Sequence, residues 1–268
     1  MYIIYNDNII NESELNLILD NRAFMYGDGL FESIIYQDDE LKFAQFHKDR
    51  LINGMDALSL TFPQGTTIDT IFDNIDKLVK KKGDESARIR LQVWRNAGGL
   101  YTPTRTSSNI LATSIVFRKN PNPTKSNVSF STSVTLSKTK WSAFKTLSAI
   151  PYIQAGLERN QRKLDDLILL DQHDHISECT SSNLFWKKEN TYFTPCLDTG
   201  CIDGIMRRYI IEVLRQQQLD IQIGKYHTKE LLEANEVFTT NVTGIQSITS
   251  IDGTKFSNDL SVIPLLGL

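Results

Sequence analysis

Three kinds of residue in this chain could act on a small polar ligand. The stretch 177–208, S-E-C-T-S-S-N-L-F-W-K-K-E-N-T-Y-F-T-P-C-L-D-T-G-C-I-D-G-I-M-R-R, opens on a carboxylate, Glu178, inside a run of small hydroxyl residues. It closes on Gly204, at the start of an amphipathic helix. Small polar residues let a ligand approach the backbone closely, and a helix start offers free N–H groups to an anion. The stretch therefore describes a site for a phosphorylated polar ligand, with one carboxylate facing a different part of it. The second kind is an amine. Composition does not choose among Lys138, Lys140 and Lys145, but Lys145 is set among Trp141, Ala143, Phe144, Leu147 and Ala149. Such surroundings desolvate an amine and lower its pKa, although a lysine with a buried stem and a solvated head fits them too. The third kind is a cation: His47 and Arg50 fall three apart near the start of a helix and share a face, where arginines are commonly solvated.

Metal chemistry is not expected. His173-Asp174-His175 follows the apolar run 167–170 and precedes another strand-like segment, which reads as a polar hairpin turn. Cys179, Cys196 and Cys201 are odd in number and outside any C-x-x-C pair, and read as small buried or half-buried thiols.

The elements around these residues must position them. Short strands at 1–5 and 9–10 flank the turn N-D-N. Gly27-Asp28-Gly29 breaks the chain before a strand at 31–36, and the aromatic and charged residues crowding it fit a pocket-lining loop as well as a plain tight turn. A return strand at 40–43 leads to a helix from Gln45, with Phe46, Leu51, Ile52, Met55 and Leu58 on one face. Ile68, Ile71, Phe72, Ile75, Leu78 and Val79 stripe the next helix, capped by Thr66 or Thr67, closed by three lysines and ended by Gly83. Residues 87–95 alternate as a half-buried strand with Ile89, Leu91 and Val93 inward, and a second strand covers 110–117. K-N-P-N-P-T-K-S-N, 119–127, has two prolines and no period, and reads as a linker between a domain at 1–118 and one at 128–268. The later elements are a strand at 128–136, a polar helix at 152–164, a strand at 166–170, helices at 205–217 and 228–234, and two strands around a 241–244 turn.

The bulk properties narrow the partners. The chain has 268 residues, 40% apolar and 23% charged, with a formal net charge of −3. Basic and acidic residues are interspersed, so there is no footprint for nucleic acid or an anionic membrane, and small-molecule partners are favoured. No apolar run approaches the ~20 residues that span a bilayer, and the N-terminus lacks a signal-peptide pattern, so the expected location is the cytoplasm.

Several spaced motifs together resemble the class IV aminotransferases, the fold-type IV family of pyridoxal-phosphate enzymes. They are Y-G-D-G-L-F-E-S at 26–33, H-K-D-R-L at 47–51, Lys145 before T-L-S, E-C-T-S-S-N-L-F-W at 178–186, T-P-C-L-D at 194–198, D-G-I-M-R at 203–207 and A-N-E-V-F-T-T-N at 234–241. The resemblance runs over nearly the whole chain. It implies an α/β (α+β) fold in two domains, like that of D-amino-acid aminotransferase, with pyridoxal 5′-phosphate between the domains and a homodimer. It implies that Lys145 forms the Schiff base and shuttles the proton at the substrate Cα, and that Glu178 keeps the pyridine nitrogen protonated. The phosphate would lie at Gly204, Ile205 and Met206, with Arg50 as a forked cation and Asn241, Val242 and Thr243 closing the pocket. Leu100 stands roughly where several relatives carry an arginine for the substrate carboxylate, which leaves Tyr26, Arg95 and Arg105 as alternatives. Motifs 178–186, 194–198 and 203–207 resemble the aminodeoxychorismate lyase branch. That implies elimination of pyruvate to give 4-aminobenzoate for folate synthesis. The alternative is amino-group transfer from branched-chain or D-amino acids to a 2-oxo acid. A non-catalytic binding protein on the same fold is disfavoured by the presence of both Lys145 and Glu178.

Overall fold

A computed structural model describes residues 1–119 and 123–267. The middle of the expected linker, residues 120–122, lies outside the described residues. The architecture is mixed α/β, and the contacts group into two compact units. Unit 1 comprises Met1–Arg118 and Phe144–Ser148; unit 2 comprises Lys119–Ala143 and Ala149–Leu268.

In unit 1, strands β1 (Tyr2–Tyr5), β2 (Asn8–Asn11), β3 (Gly29–Gln37), β4 (Glu40–Leu41), β5 (Ala87–Arg95) and β6 (Ser108–Val116) form one antiparallel sheet in the order β2-β1-β6-β5-β3-β4. The alternation of β5 puts Ile89, Leu91 and Val93 at 0% exposure, as expected of a strand with one face on the core. Three helices belong to this unit: α1 (Arg22–Tyr26), α2 (Ala44–Ala57) and α3 (Ile68–Lys82). Thr67 caps α3 in a capping box with Thr70, and Gly83 ends it in the left-handed conformation. The buried face of α2 differs from its apolar stripe. Ile52 is 36% exposed, whereas His47 and Arg50 are buried beside Leu51 and Met55. The polar pair goes inward because Glu32 on β3 waits there to satisfy it.

Unit 2 has two sheets. The first, in the order β10-β9-β8-β16-β17, contains β8 (Val128–Leu136), β9 (Asp166–Asp171), β10 (Ile176–Cys179), β16 (Ser250–Ile251) and β17 (Thr254–Lys255). The second, β13-β12-β11-β14-β15-β7, contains β7 (Thr124–Lys125), β11 (Asn183–Lys188), β12 (Thr191–Pro195), β13 (Asp220–Gly224), β14 (Glu236–Asn241) and β15 (Gly244–Ile248). Helices α4 (Ile150–Gln161), α5 (Ile205–Gln216) and α6 (Thr228–Leu232) complete it. Within the segment read as linker, Thr124–Lys125 pairs in parallel with β15, and the Lys125 ammonium is buried against Asp166 at 2.6 Å. Strand β13 alternates over only two apolar residues, Ile221 and Ile223, and it forms where β12 offers it a parallel edge.

Candidate active site

Lys145 belongs to unit 1, on a short stretch hydrogen-bonded to the start of β3. Phe31 N–H donates to the Lys145 carbonyl at 2.8 Å, Leu147 N–H donates to the Gly29 carbonyl at 2.9 Å, and Nζ lies 5.2 Å from the centre of the Phe31 ring. Two glycines make close approaches here, Gly27 to the segment after the lysine and Gly29 to β5. A Cβ on Gly27 would meet the Ser148 backbone nitrogen at 3.1 Å, and one on Gly29 would meet the Val93 carbonyl at 2.4 Å. The turn that precedes β3 is thus pressed against the residues that follow the lysine.

The same strand carries Glu32, 2% exposed, between the two inward groups of α2. Its oxygens accept Arg50 Nε at 2.7 Å and Arg50 Nη2, and one of them contacts His47 Nδ1 at 2.7 Å. Burial pushes the Glu32 carboxyl up, but the Arg50 charge and the His47 and Arg50 hydrogen bonds outweigh it and hold the group at about 2. Burial pushes His47 the other way, below the ordinary histidine value, so the ring is neutral; its Nε2 is enclosed without a hydrogen-bond partner.

In unit 2, Glu178 lies buried on β10 with three donors on its carboxylate. Tyr152 Oη donates to Oε1 at 2.6 Å, Ile202 N–H donates to Oε1 at 3.1 Å, and Asn183 Nδ2 donates to Oε2 at 3.2 Å. Burial and the adjacent carboxylate push the Tyr152 phenol up, so it stays a neutral donor. Asn183 Nδ2 also donates to the Ile202 carbonyl at 2.7 Å, which ties Glu178 to the approach of α5. Gly204 is the N-cap of that helix and has no side chain with which to cap its first N–H groups. A Cβ at Gly204 would stand 1.9 Å from Asn183 Oδ1, so a larger residue there would have to displace the Asn183 amide from Glu178 and Ile202.

The hairpin turn after β14 completes this side. Asn241 Oδ1 accepts the Thr243 N–H at 2.9 Å and the Thr243 hydroxyl at 2.6 Å, while Nδ2 donates to the Ser181 carbonyl at 3.2 Å. The turn 241–243 is thereby fastened to the hydroxyl-rich loop after Glu178. Three enclosed hydroxyls there, on Thr180, Ser182 and Thr240, have no hydrogen-bond partner among the described residues. Burial pushes the Cys179 thiol well up and the Cys201 thiol to about 12, so both are neutral. Asp171 accepts the N–H groups of His173 and His175 at 2.8 and 2.9 Å, which builds the turn after β9.

A family model described as amino-transferase class IV matches residues 29–251, a span that includes Lys145, Glu178 and Gly204. The chain belongs to that family. It is 27% identical over 262 residues to an aminodeoxychorismate lyase of Vibrio harveyi, covering 91% of this chain and 90% of the relative. It is 24% identical to a D-alanine aminotransferase of Listeria innocua, covering 96% and 90%. The solved branched-chain aminotransferase of Thermoproteus uzoniensis superposes with a TM-score of 0.90 at 20% identity, over 99% and 92% of the two chains, which fixes the fold.

Class IV aminotransferases are enzymes that use pyridoxal 5′-phosphate, and the donor set of this chain fits that cofactor. Unit 2 has a helix start at a glycine without a side-chain cap, three enclosed hydroxyls without a hydrogen-bond partner among the described residues, and a carboxylate that accepts from Tyr152, Asn183 and Ile202. Of the residues singled out in the sequence, unit 2 holds Glu178, Gly204, Ile205, Met206, Asn241, Val242 and Thr243; unit 1 holds Tyr26, Arg50, Arg95, Arg105 and Lys145. Sequence reasoning did not single out Asn183, although it lies inside the quoted E-C-T-S-S-N motif. Glu32 likewise lies inside the quoted Y-G-D-G-L-F-E-S motif without having been singled out, and Tyr152 lies in none of the quoted motifs; each is brought to its partner by the fold.

Proposed function

We propose that this enzyme is a 4-amino-4-deoxychorismate lyase, releasing pyruvate and leaving 4-aminobenzoate for folate synthesis in the cytoplasm, and that it works as a homodimer. The observation that carries the reading is that β10, β11, β12 and the start of α5 are built from the three motifs that resemble the lyase branch. The 27% identity to the Vibrio lyase, spread over 262 residues, supports it. Exposed apolar side chains such as Leu19, Phe24 and Tyr101 support the dimer, since a monomer has little reason to present them to water.

Each residue then has a role. The N–H groups of Ile205 and Met206, with Arg50, hold the phosphate; Val242 and Thr243, on the turn fixed by Asn241, close around it. Glu178 holds a proton at the pyridine nitrogen, which its three donors orient it to do. The bound cofactor supplies an electron sink for the carbon next to the substrate nitrogen. Lys145 Nζ carries the amine that engages the cofactor and moves the proton at that carbon.

An aminotransferase is the second reading, favoured by the match to D-alanine aminotransferase over 96% of the chain. The test is a side-by-side assay of 4-aminobenzoate formation from aminodeoxychorismate against amino transfer from L- and D-amino acids to 2-oxoglutarate. Lyase activity with little transfer is expected; transfer without lyase activity would reverse the order. Sedimentation of the purified protein checks the dimer.

A further inference from the structure

In unit 1 a single carboxylate, Asp28, lies between two buried guanidinium groups. Arg22 Nε donates to Asp28 Oδ2 at 2.8 Å and Arg95 Nε donates to the same oxygen at 2.9 Å, with Arg22 4% and Arg95 6% exposed. Among the described residues Asp28 is the one acidic partner of both arginines, so the cluster carries an excess positive charge. A buried charge without a counter-charge is expensive, and an anion that binds there relieves the cost.

The two arginines are not equivalent. All three nitrogens of Arg95 are taken: Nε and Nη2 by Asp28, Nη2 also by the Leu58 carbonyl at 2.7 Å, and Nη1 by the Ser59 carbonyl at 3.0 Å and the Arg105 carbonyl at 3.5 Å. Arg22 gives Nε to Asp28 and Nη1 to the carbonyls of Gly98, Gly99 and Leu100 at 3.3, 3.1 and 2.8 Å. Its Nη2 has no hydrogen-bond partner among the described residues, and it is not among the fully enclosed orphan atoms. The guanidinium rests over the Tyr26 ring at 4.8 Å, and Tyr26 packs on Tyr101 at 5.6 Å. The loop is shaped for this contact: Gly98 and Gly99 have φ of 129° and 71°, which turns three successive carbonyls onto one nitrogen. Gly27 and Gly29, on either side of Asp28, abut Ser148 and Leu147, just beyond Lys145.

We infer that Arg22 binds a substrate carboxylate through Nη2, with Asp28 and the carbonyls of 98–100 holding the guanidinium in place. The inference rests on the proposed reaction only in taking the substrate to be a carboxylate, which holds under both the lyase and the aminotransferase readings. It gives this chain a fixed cation beside Leu100, and leaves Arg95 as the clamp of the loop.

The test uses holoenzyme titrated with pyruvate, a product under one reading and an acceptor under the other, and with uncharged methyl pyruvate. The unaltered protein should bind pyruvate more tightly than methyl pyruvate; equal affinities overturn the inference without any variant. Arg22→Gln should weaken pyruvate about tenfold or more, the loss expected of one charge-assisted contact, and move methyl pyruvate less than about twofold. Arg22→Lys, which keeps the charge and loses the fork, should fall between. Equal losses for both ligands would make Arg22 a loop clamp alone, and the pyruvate-specific loss appearing with Arg105→Gln instead would assign the role to Arg105; either overturns the inference. Absence of 4-aminobenzoate formation with pyruvate binding still dependent on Arg22 would sink the lyase reading and leave this one standing.

Discussion

Glu32 shows how a buried group can be decided by its neighbours against its surroundings. Burial raises its pKa, yet Arg50 and His47 bring it to about 2, below the ordinary 4.5. A depressed folded pKa means that the contribution to stability is complete above pH 4.5 and is lost as the pH falls from there towards 2. Urea unfolding at a series of pH values should therefore show wild-type stability dropping across that window. Glu32→Gln should show a weaker slope there, together with a loss of about 3–5 kcal/mol at neutral pH because the buried Arg50 charge loses the opposite charge of Glu32. At Glu178 the expectation is different. Glu178→Gln keeps the shape and the Tyr152 contact, so the cofactor should still bind, while turnover falls by about a hundredfold or more. Titration of the apoprotein with pyridoxal 5′-phosphate, beside a turnover assay, separates the two effects. Glu178 was legible in the sequence because its neighbours form a motif. Glu32, His47 and Tyr152 were not legible as a set, since what matters at each is a partner 15 to 26 residues away.

Among the elements, those with a strong period or a clear stop were readable. The α3 stripe, its Thr67 cap and its Gly83 terminus follow from local rules, as does the alternation of β5. The two-residue β7 follows from the edge its neighbour offers, and the short β13, with only Ile221 and Ile223 alternating, is too brief a pattern to stand without the parallel edge of β12. For α2 the periodicity marked Ile52 as inward, but Glu32 recruits the polar side of the helix instead. The start of α5 could be placed from Gly204, yet the reason for the glycine could not. Its φ of −66° suits any residue, and the constraint is the Asn183 amide. Gly204→Ala should accordingly cost about 1–3 kcal/mol in thermal unfolding from overpacking, and should lower cofactor affinity by displacing the helix start. Unchanged cofactor affinity in that variant would separate Gly204 from the phosphate.

At the scale of the whole molecule, the class of reaction was readable because its motifs are spread along the chain, while the carboxylate partner was not. The sequence offered Tyr26, Arg95 and Arg105, and only the tally of occupied nitrogens singles out Arg22. The division into units has a further consequence for synthesis. The chain leaves unit 1 after Arg118 and returns to it for Phe144–Ser148 before unit 2 is finished. Phe144 packs against the unit 1 core, and its ring lies where a Cβ on Gly54 would meet it at 3.2 Å. A nascent chain emerging from the ribosome therefore cannot close unit 1 when residue 118 appears; it must wait for the segment Phe144–Ser148 that carries the lysine. A fragment ending at Arg118 should have an open flank beside β3, measurable as faster amide exchange at Gly29 and Phe31 than in the intact chain. The segment that carries Lys145 is thus added after the strands of unit 1 have been made, and its arrival completes that unit.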